Sequence, residues 1–233
     1  LLAAKRAHLI FMLVSVVFTY LLSIDKKVFT KKILNFILIG ILFVSIVIFL
    51  FNNFNENEDS PIVNFVNKLE HTVYGIIEGE DVTSGRITLY SYSWELFKER
   101  PIVGIGWKEF INLSIGLINP DRGSHPHNIY LQLLTELGIL GFLLFMIPVL
   151  YLYYQTYRVL RLVSIDKVTY KSWKLGIQFS FYSQTFFILY GITGNLLTDF
   201  NFLLMYFFAC SISVSAIIQL KDHLPILKQN QFN

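Results

Sequence analysis

Residues 129–154 read IYLQLLTELGILGFLLFMIPVLYLYY, an apolar run that directly follows the polar stretch His125-Pro126-His127-Asn128. Because about 20 helical residues cross the hydrocarbon core of a bilayer, the run predicts a membrane-spanning helix. His127 is then placed at the mouth of that helix, where an imidazole can meet groups from water and from lipid. The junction therefore predicts chemistry at a membrane surface.

Other apolar runs long enough to cross a bilayer occupy residues 7–24, 33–51, 175–193 and 201–220. With 54% hydrophobic and 15% charged residues, the chain is too apolar for an average soluble domain. Lys5 and Arg6 precede the first run, as basic residues precede the apolar part of a signal peptide. The run lacks the small-residue cleavage site of a signal peptide, however. The sequence therefore predicts an all-α fold, a polytopic membrane helix bundle with five transmembrane helices.

Basic residues are concentrated in two of the connections between these runs, Lys26, Lys27, Lys31 and Lys32 in one and Arg158, Arg161, Lys167, Lys171 and Lys174 in the other. The positive-inside bias places both connections in the cytoplasm and residues 52–127 outside. We therefore expect a multi-pass protein of the cytoplasmic membrane. Its expected parts are two transmembrane helices in residues 1–51, an extracytoplasmic catalytic loop with amphipathic helices in 52–127, three transmembrane helices in 128–220 and a cytoplasmic tail in 221–233.

Composition also limits the classes of function. The net charge is only +3, and the basic residues lie where topology needs them, so a nucleic-acid partner is not expected. Cys210 is the single cysteine and lies inside the last apolar run, which excludes a disulfide framework or a thiolate metal site. The chain opens on Leu1-Leu2-Ala3-Ala4 within an apolar run, and we expect it to be the C-terminal part of a longer protein.

The outward segment contains a predicted helix over residues 86–99, with an apolar stripe formed by Ile87, Tyr90, Trp94 and Phe97. This spacing lets the helix lie on the membrane surface or on the bundle. Arg86 lies in its first turn, where the guanidinium and the backbone amides together suit a phosphate or diphosphate. Alternatively, Arg86 pairs with Glu70, Glu78 or Asp81, or reaches lipid headgroups.

His127 is the candidate proton acceptor, because an imidazole titrates near neutral pH and can take a proton from a sugar hydroxyl. The alternative is a capping or interfacial histidine. A metal site of His125, His127 and Asp121 lacks ligand-like spacing, so neither a metal nor another cofactor is expected. Glu136 lies about two and a half turns into the predicted membrane helix, where a carboxylate must face protein or a water-filled cavity.

Several motifs follow one another in a recognisable order: Ser84-Gly85-Arg86 with Trp94, Pro101-Ile102-Val103-Gly104-Ile105-Gly106, His127-Asn128-Ile129-Tyr130-Leu131, and Glu136-Leu137-Gly138-Ile139-Leu140-Gly141. In order and spacing they resemble the hallmark region of the O-antigen ligase and O-antigen polymerase superfamily of membrane glycosyltransferases. Lys5-Arg6-Ala7 is similar to a basic motif of that region, although the family usually has Ser where Lys5 stands. The resemblance covers most of the chain.

The resemblance implies that a glycan on a polyprenyl diphosphate is transferred to the hydroxyl of another glycan or of a lipid-A core. His127 would be the general base, and Arg86 and Arg6 would neutralise the departing diphosphate without a metal. Asn128, Tyr130 and Glu136 would orient the base or bind substrate. One direct displacement would invert the anomeric carbon, and the expected partners are the lipid-linked donor, the glycan acceptor, the bilayer and a chain-length regulator.

The long acidic outer segment and the composition rich in Phe, Asn and Lys favour a polymerase of O-antigen, capsule or exopolysaccharide. A ligase acting on lipid-A core is the alternative within the family, and transfer to a protein is a third outcome of the same chemistry. From another class, a transporter of lipid-linked glycans would use Arg86 to bind phosphate and Glu136 as a proton relay.

Overall fold

The computed structural model describes residues 2–23, 45, 85–165 and 171–220, apart from the side chains of residues 2–7 and 165. These residues form the helices α1 (Leu2–Leu22), α2 (Arg86–Glu99), α3 (Glu109–Leu113), α4 (Ile129–Ile165), α5 (Lys171–Tyr190) and α6 (Phe200–Leu220). No strand occurs among them, and a single isolated β-bridge joins Asn119 and Arg122. The all-α prediction is confirmed for this part of the chain.

Two of the five predicted membrane helices are long and apolar enough to cross a bilayer in the described residues. They are Ile129–Ser164, within α4, and Phe200–Leu220, which is α6. In α1, the apolar part with described side chains is the shorter stretch His8–Leu22. Helix α5 is long enough but too polar for the same criterion, since its 20 residues include two lysines, three serines and two glutamines. The predicted run over residues 33–51 lies outside the described residues.

Helix α4 continues about three turns beyond the predicted end of its apolar run at residue 154. Val159, Leu160 and Val163 are buried in a cluster with Ile177 and Leu220, so packing against α5 and α6 extends the helix. The expected cytoplasmic connection is correspondingly shorter. Its predicted basic residues Arg158, Arg161, Lys171 and Lys174 belong to the ends of α4 and α5 instead of a loop.

The bundle formed by α1, α4, α5 and α6 has two ends. At one end the Arg161 guanidinium donates a hydrogen bond of 3.0 Å to the carbonyl of Leu22, which joins the ends of α4 and α1. At the other, the ring of His8 packs against Phe186, Tyr190 and Phe202. We call these the Arg161 end and the His127 end, since His127 precedes α4 at the second.

Between the two ends, a buried polar cluster of Thr156, Ser180, Gln184 and Ser213 links α4, α5 and α6. The amide of Gln184 donates to Ser213 at 2.9 Å and to Thr156 at 3.1 Å, and Thr156 donates to Ser213 at 2.8 Å. Hydrogen bonds of this kind hold helices together where the surroundings supply little hydrophobic driving force. They explain why α5 is more polar than its neighbours.

Candidate active site at the start of helix α4

A cavity of about 400 Å³ opens at the His127 end, beside the turn that connects α5 to α6. It is lined by His127, Tyr190, Thr193, Gly194, Asn195, Leu196, Thr198, Asp199, Phe200 and Phe202. The wall thus combines aromatic rings with amide, hydroxyl and carboxylate groups. A ligand that presents both apolar faces and hydrogen-bonding groups fits such a lining.

His127 is held in this wall by its backbone and by its ring. Its φ of 53° lies in the left-handed region, which costs free energy for a non-glycine residue. The hydroxyl of Tyr90 donates to its carbonyl at 3.2 Å, and the amide nitrogen of Asn195 lies 3.2 Å from its ring Nδ1. These contacts keep the strained turn in place.

Burial, followed by the positive charges of Arg86 and His125, lowers the pKa of His127 to about 4. The imidazole is therefore neutral at physiological pH, and a neutral imidazole has a lone pair that can accept a proton. Burial and the charge of Lys108 also lower the pKa of His125. Within the described residues, no group of three or more His, Cys, Asp or Glu side chains is arranged to hold a metal ion.

Asn128 and Tyr130 fix the start of α4 relative to α5. The side-chain oxygen of Asn128 accepts from the backbone amides of Tyr130 (2.9 Å) and Leu131 (3.1 Å), which makes Asn128 the N-cap of the helix. The Tyr130 hydroxyl donates to the carbonyl of Ile188 in α5 at 2.6 Å. Asn128 thus fixes the backbone next to His127, and Tyr130 ties the first turn of α4 to α5. Direct binding of substrate by either side chain stays a prediction.

Arg86 is the first residue of α2, and Tyr90 lies one turn further along. Burial raises the pKa of Tyr90, and the nearby charge of Arg86 partly opposes this. The same charge also lowers the pKa of His127, so the Arg86 guanidinium acts on the residue that Tyr90 contacts. The acidic residues considered as ion-pair partners of Arg86, Glu70, Glu78 and Asp81, lie outside the described residues.

Helix α2 packs on the bundle through a different face from the one that the sequence suggested. Leu89, Ser93 and Leu96 are buried, whereas Ile87 and Trp94 of the predicted stripe are about half exposed. The hydroxyls of Ser93 and Thr135 are 2.7 Å apart, which ties α2 to α4 one turn beyond the Tyr90 contact. Exposed apolar side chains of this kind are suited to a membrane surface.

Arg6 belongs to α1, but its side chain lies outside the described residues. Two residues later, the ring of His8 contacts Tyr190 and Phe202, and both of these residues line the cavity. The beginning of α1 is therefore at the His127 end. The role of Arg6 stays a prediction.

Glu136 is fully buried and does not line the cavity. Its Oε2 accepts from the Gln132 amide at 3.2 Å, and the backbone amides of Lys108 and Phe110 at the start of α3 are directed at the carboxylate. This arrangement is that of an internal anchor for α3. Contact with substrate, which the sequence suggested, would require these packing contacts to open.

The loop of residues 101–106 docks onto α4 where that helix is interrupted at Gly138 (φ 65°, ψ −173°). Its backbone contacts are Ile105 N–H to the Thr135 carbonyl (3.0 Å), Gly106 N–H to the Glu136 carbonyl (2.9 Å) and Ile139 N–H to the Pro101 carbonyl (2.8 Å). A Cβ on Gly104 or Gly138 would overlap the backbone of the opposite segment. The segment that approaches α4 closely at Gly138 is therefore this loop.

Sequence reasoning missed the roles of Tyr90 and Asn195. Tyr90 was assigned to an apolar stripe, although its hydroxyl contacts the carbonyls of His127 and, at 3.4 Å, Ile192. Asn195 lies outside the motifs from which the sequence predicts the site. Since 68 residues separate it from His127, no local pattern indicates their contact.

Comparison with protein families gives a match to the family described as O-antigen ligase over residues 1–146, which is more than half of the chain. Comparison with curated proteins and with solved structures gives no match. Proteins of the matching family are membrane proteins with glycosyltransferase-like activity, and the family implies lipid-linked glycan substrates. The matched residues include Arg6, Arg86 and His127, and the chain belongs to the O-antigen ligase family.

Proposed function

We propose that this protein polymerises polyprenyl diphosphate-linked oligosaccharide repeat units into a surface polysaccharide by metal-independent, inverting glycosyl transfer. The observation that carries the proposal is the environment of His127. Its neutral imidazole lines a polar and aromatic cavity at the mouth of α4, within reach of the charge of Arg86. This combination supplies a proton acceptor next to a group that binds phosphate.

The proposed topology has five transmembrane helices in the cytoplasmic membrane, with the His127 end outside. The Arg161 end carries the basic residues at the ends of α4 and α5, as the positive-inside bias expects for a cytoplasmic face. Because α4 and α6 both run from the His127 end, α5 has to return across the bilayer between them. Its polar residues are satisfied in the cluster around Gln184.

In the proposed reaction, the acceptor saccharide binds in the cavity and His127 takes a proton from its hydroxyl. The hydroxyl oxygen attacks the anomeric carbon of the donor as the bond from that carbon to the diphosphate oxygen breaks. The electron pair of that bond leaves with the diphosphate, where the charges of Arg86 and Arg6 stabilise it. A single displacement of this kind inverts the anomeric carbon.

The cavity lining supports a saccharide acceptor. The ring of Tyr190 and the polar groups of Thr198 and Asp199 surround one space. A sugar presents an apolar ring face and several hydroxyls, which match an aromatic ring beside hydrogen-bonding side chains. A growing polysaccharide and lipid-A core both present such a sugar.

Ligation to lipid-A core is the second candidate, and the description of the matching family as O-antigen ligase favours it. The acidic outer segment and the overall composition favour the polymerase.

The test uses the full-length protein in vesicles with a polyprenyl diphosphate-linked repeat unit, and products are analysed by gel and mass spectrometry. A ladder of repeats supports the polymerase, whereas product formed only with added lipid-A core would identify a ligase. Movement of donor across the vesicle membrane without transfer would contradict both and identify a transporter.

A further inference from the structure

The turn between α5 and α6 lies against the imidazole of His127. In the orientation shown, Nδ2 of Asn195 is 3.2 Å from the ring Nδ1, while Oδ1 of the same amide is buried without a hydrogen-bond partner. Rotating the amide by half a turn exchanges these two atoms without changing the shape of the side chain. Oδ1 then faces Nδ1 and accepts from the ring N–H, while Nδ2 takes the buried position that Oδ1 occupied.

The orientation of this amide decides which nitrogen of His127 can accept a proton. A neutral imidazole carries one N–H, and its other nitrogen has the free lone pair. If Asn195 accepts from Nδ1–H, the lone pair is on Nε2, which has no hydrogen-bond partner among the described residues. A hydrogen bond that fixes the tautomer in this way is a common device around a histidine base.

We propose that Asn195 is the positioning residue for His127: its side-chain oxygen accepts from Nδ1–H and leaves Nε2 free to take the proton of the acceptor hydroxyl. The proposal rests on the proposed function for the identity of that proton. Once Nε2 is protonated, the amide oxygen continues to accept from Nδ1–H and so stabilises the imidazolium. Nε2 later releases the proton to water.

The turn is built to hold Asn195 at this distance. The carbonyl of Asn195 accepts from the backbone amide of Thr198 at 3.1 Å and from its hydroxyl at 2.9 Å. On the other side, the Tyr90 hydroxyl joins the carbonyls of His127 and Ile192, so the two segments are fastened together beside the amide. The residues that hold the base thus come from the turn as well as from the start of α4.

The test measures the protonation of His127 directly in the full-length protein. Diethyl pyrocarbonate modifies the neutral imidazole, so its reaction with His127, followed by mass spectrometry between about pH 3 and 8, reports the pKa of that residue. Asn195→Asp places a carboxylate at Nδ1 and stabilises the charged ring, which should raise the apparent pKa of His127 by about 1 unit or more. The charged and titratable groups that act on or face the ring are the same in both proteins; they are Arg86, His125, Tyr90, Tyr190 and Asp199.

Asn119→Asp is the matched control, because Asn119 is exposed, does not line the cavity and can keep its bond to the amide of Asp121 through Oδ1. An Asn195→Asp shift no larger than that of Asn119→Asp would overturn the contact. This measurement needs no glycosyl transfer, so it decides the contact even where the proposed function fails.

Transfer by the same proteins tests the positioning role. Asn195→Ala should lower kcat by about 10- to 100-fold with little change in KM, as loss of an orienting partner does elsewhere. Asn195→Asp should recover part of the rate and lose it again as pH falls through the raised pKa, because only neutral His127 accepts a proton. Asn195→Ala with an unchanged kcat would overturn the positioning role. A wild-type protein that transfers nothing, together with a pKa shift in Asn195→Asp, would overturn glycosyl transfer and retain the Asn195–His127 pair.

Discussion

At the scale of single residues, the site depends on one imidazole that stays neutral beside a fixed positive charge. Burial and the charges of Arg86 and His125 hold the pKa of His127 near 4, below its usual range. The ring is therefore ready to accept a proton but is a weak base while the site is empty. A bound diphosphate opposes the charge of Arg86, so donor binding should raise the pKa of His127 and strengthen the base.

The pH dependence of transfer tests this electrostatic coupling. Because the base works only when neutral, kcat/KM should fall as pH falls through the pKa of the free protein, about 4. The fall of kcat at acidic pH reflects the pKa of His127 in the donor complex, so it should occur at a higher pH. Rates measured across donor concentrations at each pH give kcat and kcat/KM, and hence an apparent pKa for each. Equal apparent pKa values for kcat and kcat/KM would contradict the coupling between donor binding and the pKa of His127.

Replacing Arg86 by Lys tests whether geometry or charge alone matters at the start of α2. Lysine keeps the charge but loses the planar fork that binds two phosphate oxygens at once. We expect Arg86→Lys to lower the transfer rate by about 100-fold, as loss of one oxyanion donor does elsewhere. Arg100→Lys, at an exposed position directly after the same helix, should leave the rate unchanged. Full activity of Arg86→Lys would contradict a need for the planar fork and leave Arg86 as a surface charge.

At the scale of elements, the site is positioned by a loop that docks onto helix α4 where that helix is interrupted. Residues 101–106 pair their backbone with α4 on both sides of Gly138, and Glu136 anchors α3 immediately beside this point. Helix α2 is thereby held with Tyr90 against His127. The interruption of α4 thus links the position of α2 to His127, the residue that Tyr90 of α2 contacts.

Gly138→Ala should destabilise this junction strongly. Its backbone conformation is one that only glycine adopts readily, and a Cβ there would overlap the backbone at residues 102 and 103. We expect a loss of more than about 3 kcal/mol in unfolding free energy, seen as a lower midpoint in thermal unfolding in detergent, with loss of transfer. Gly116→Ala is the control, because Gly116 has a φ of 86° but open space around it. Backbone strain alone should cost about 1 kcal/mol there, and equal losses in both variants would contradict the packing account.

The sequence predicted some of these elements and could not predict others. The apolar run after Asn128 and the pattern over residues 86–99 are local signals, and the helices α4 and α2 begin at or within a residue of the predicted positions. The continuation of α4 to Ile165 depends on burial of Val159, Leu160 and Val163 against other helices. The pairing of His127 with Asn195 joins the matched family region to a turn beyond it, a relation that appears only after folding.

At the scale of the whole molecule, the helices α1, α4, α5 and α6 extend between an end with basic residues and an end with the cavity. In a Cys210→Ser background, we expect a cysteine in place of Asp121 to react with an impermeant maleimide added to intact cells. A cysteine in place of Lys171 should react only after the membrane is permeabilised. Both positions are exposed, so burial cannot explain a difference. The reverse pattern would invert the proposed topology.

The most direct test of the central claim compares wild type, His127→Ala and His125→Ala in transfer from a polyprenyl diphosphate-linked repeat unit, each with and without a chelator. We expect wild type and His125→Ala to form product in both conditions and His127→Ala to form none, because only His127 lines the cavity as the base. Thermal unfolding verifies that all three proteins are folded. Product from folded His127→Ala at a rate near that of wild type would contradict the account, as would loss of wild-type product on chelation.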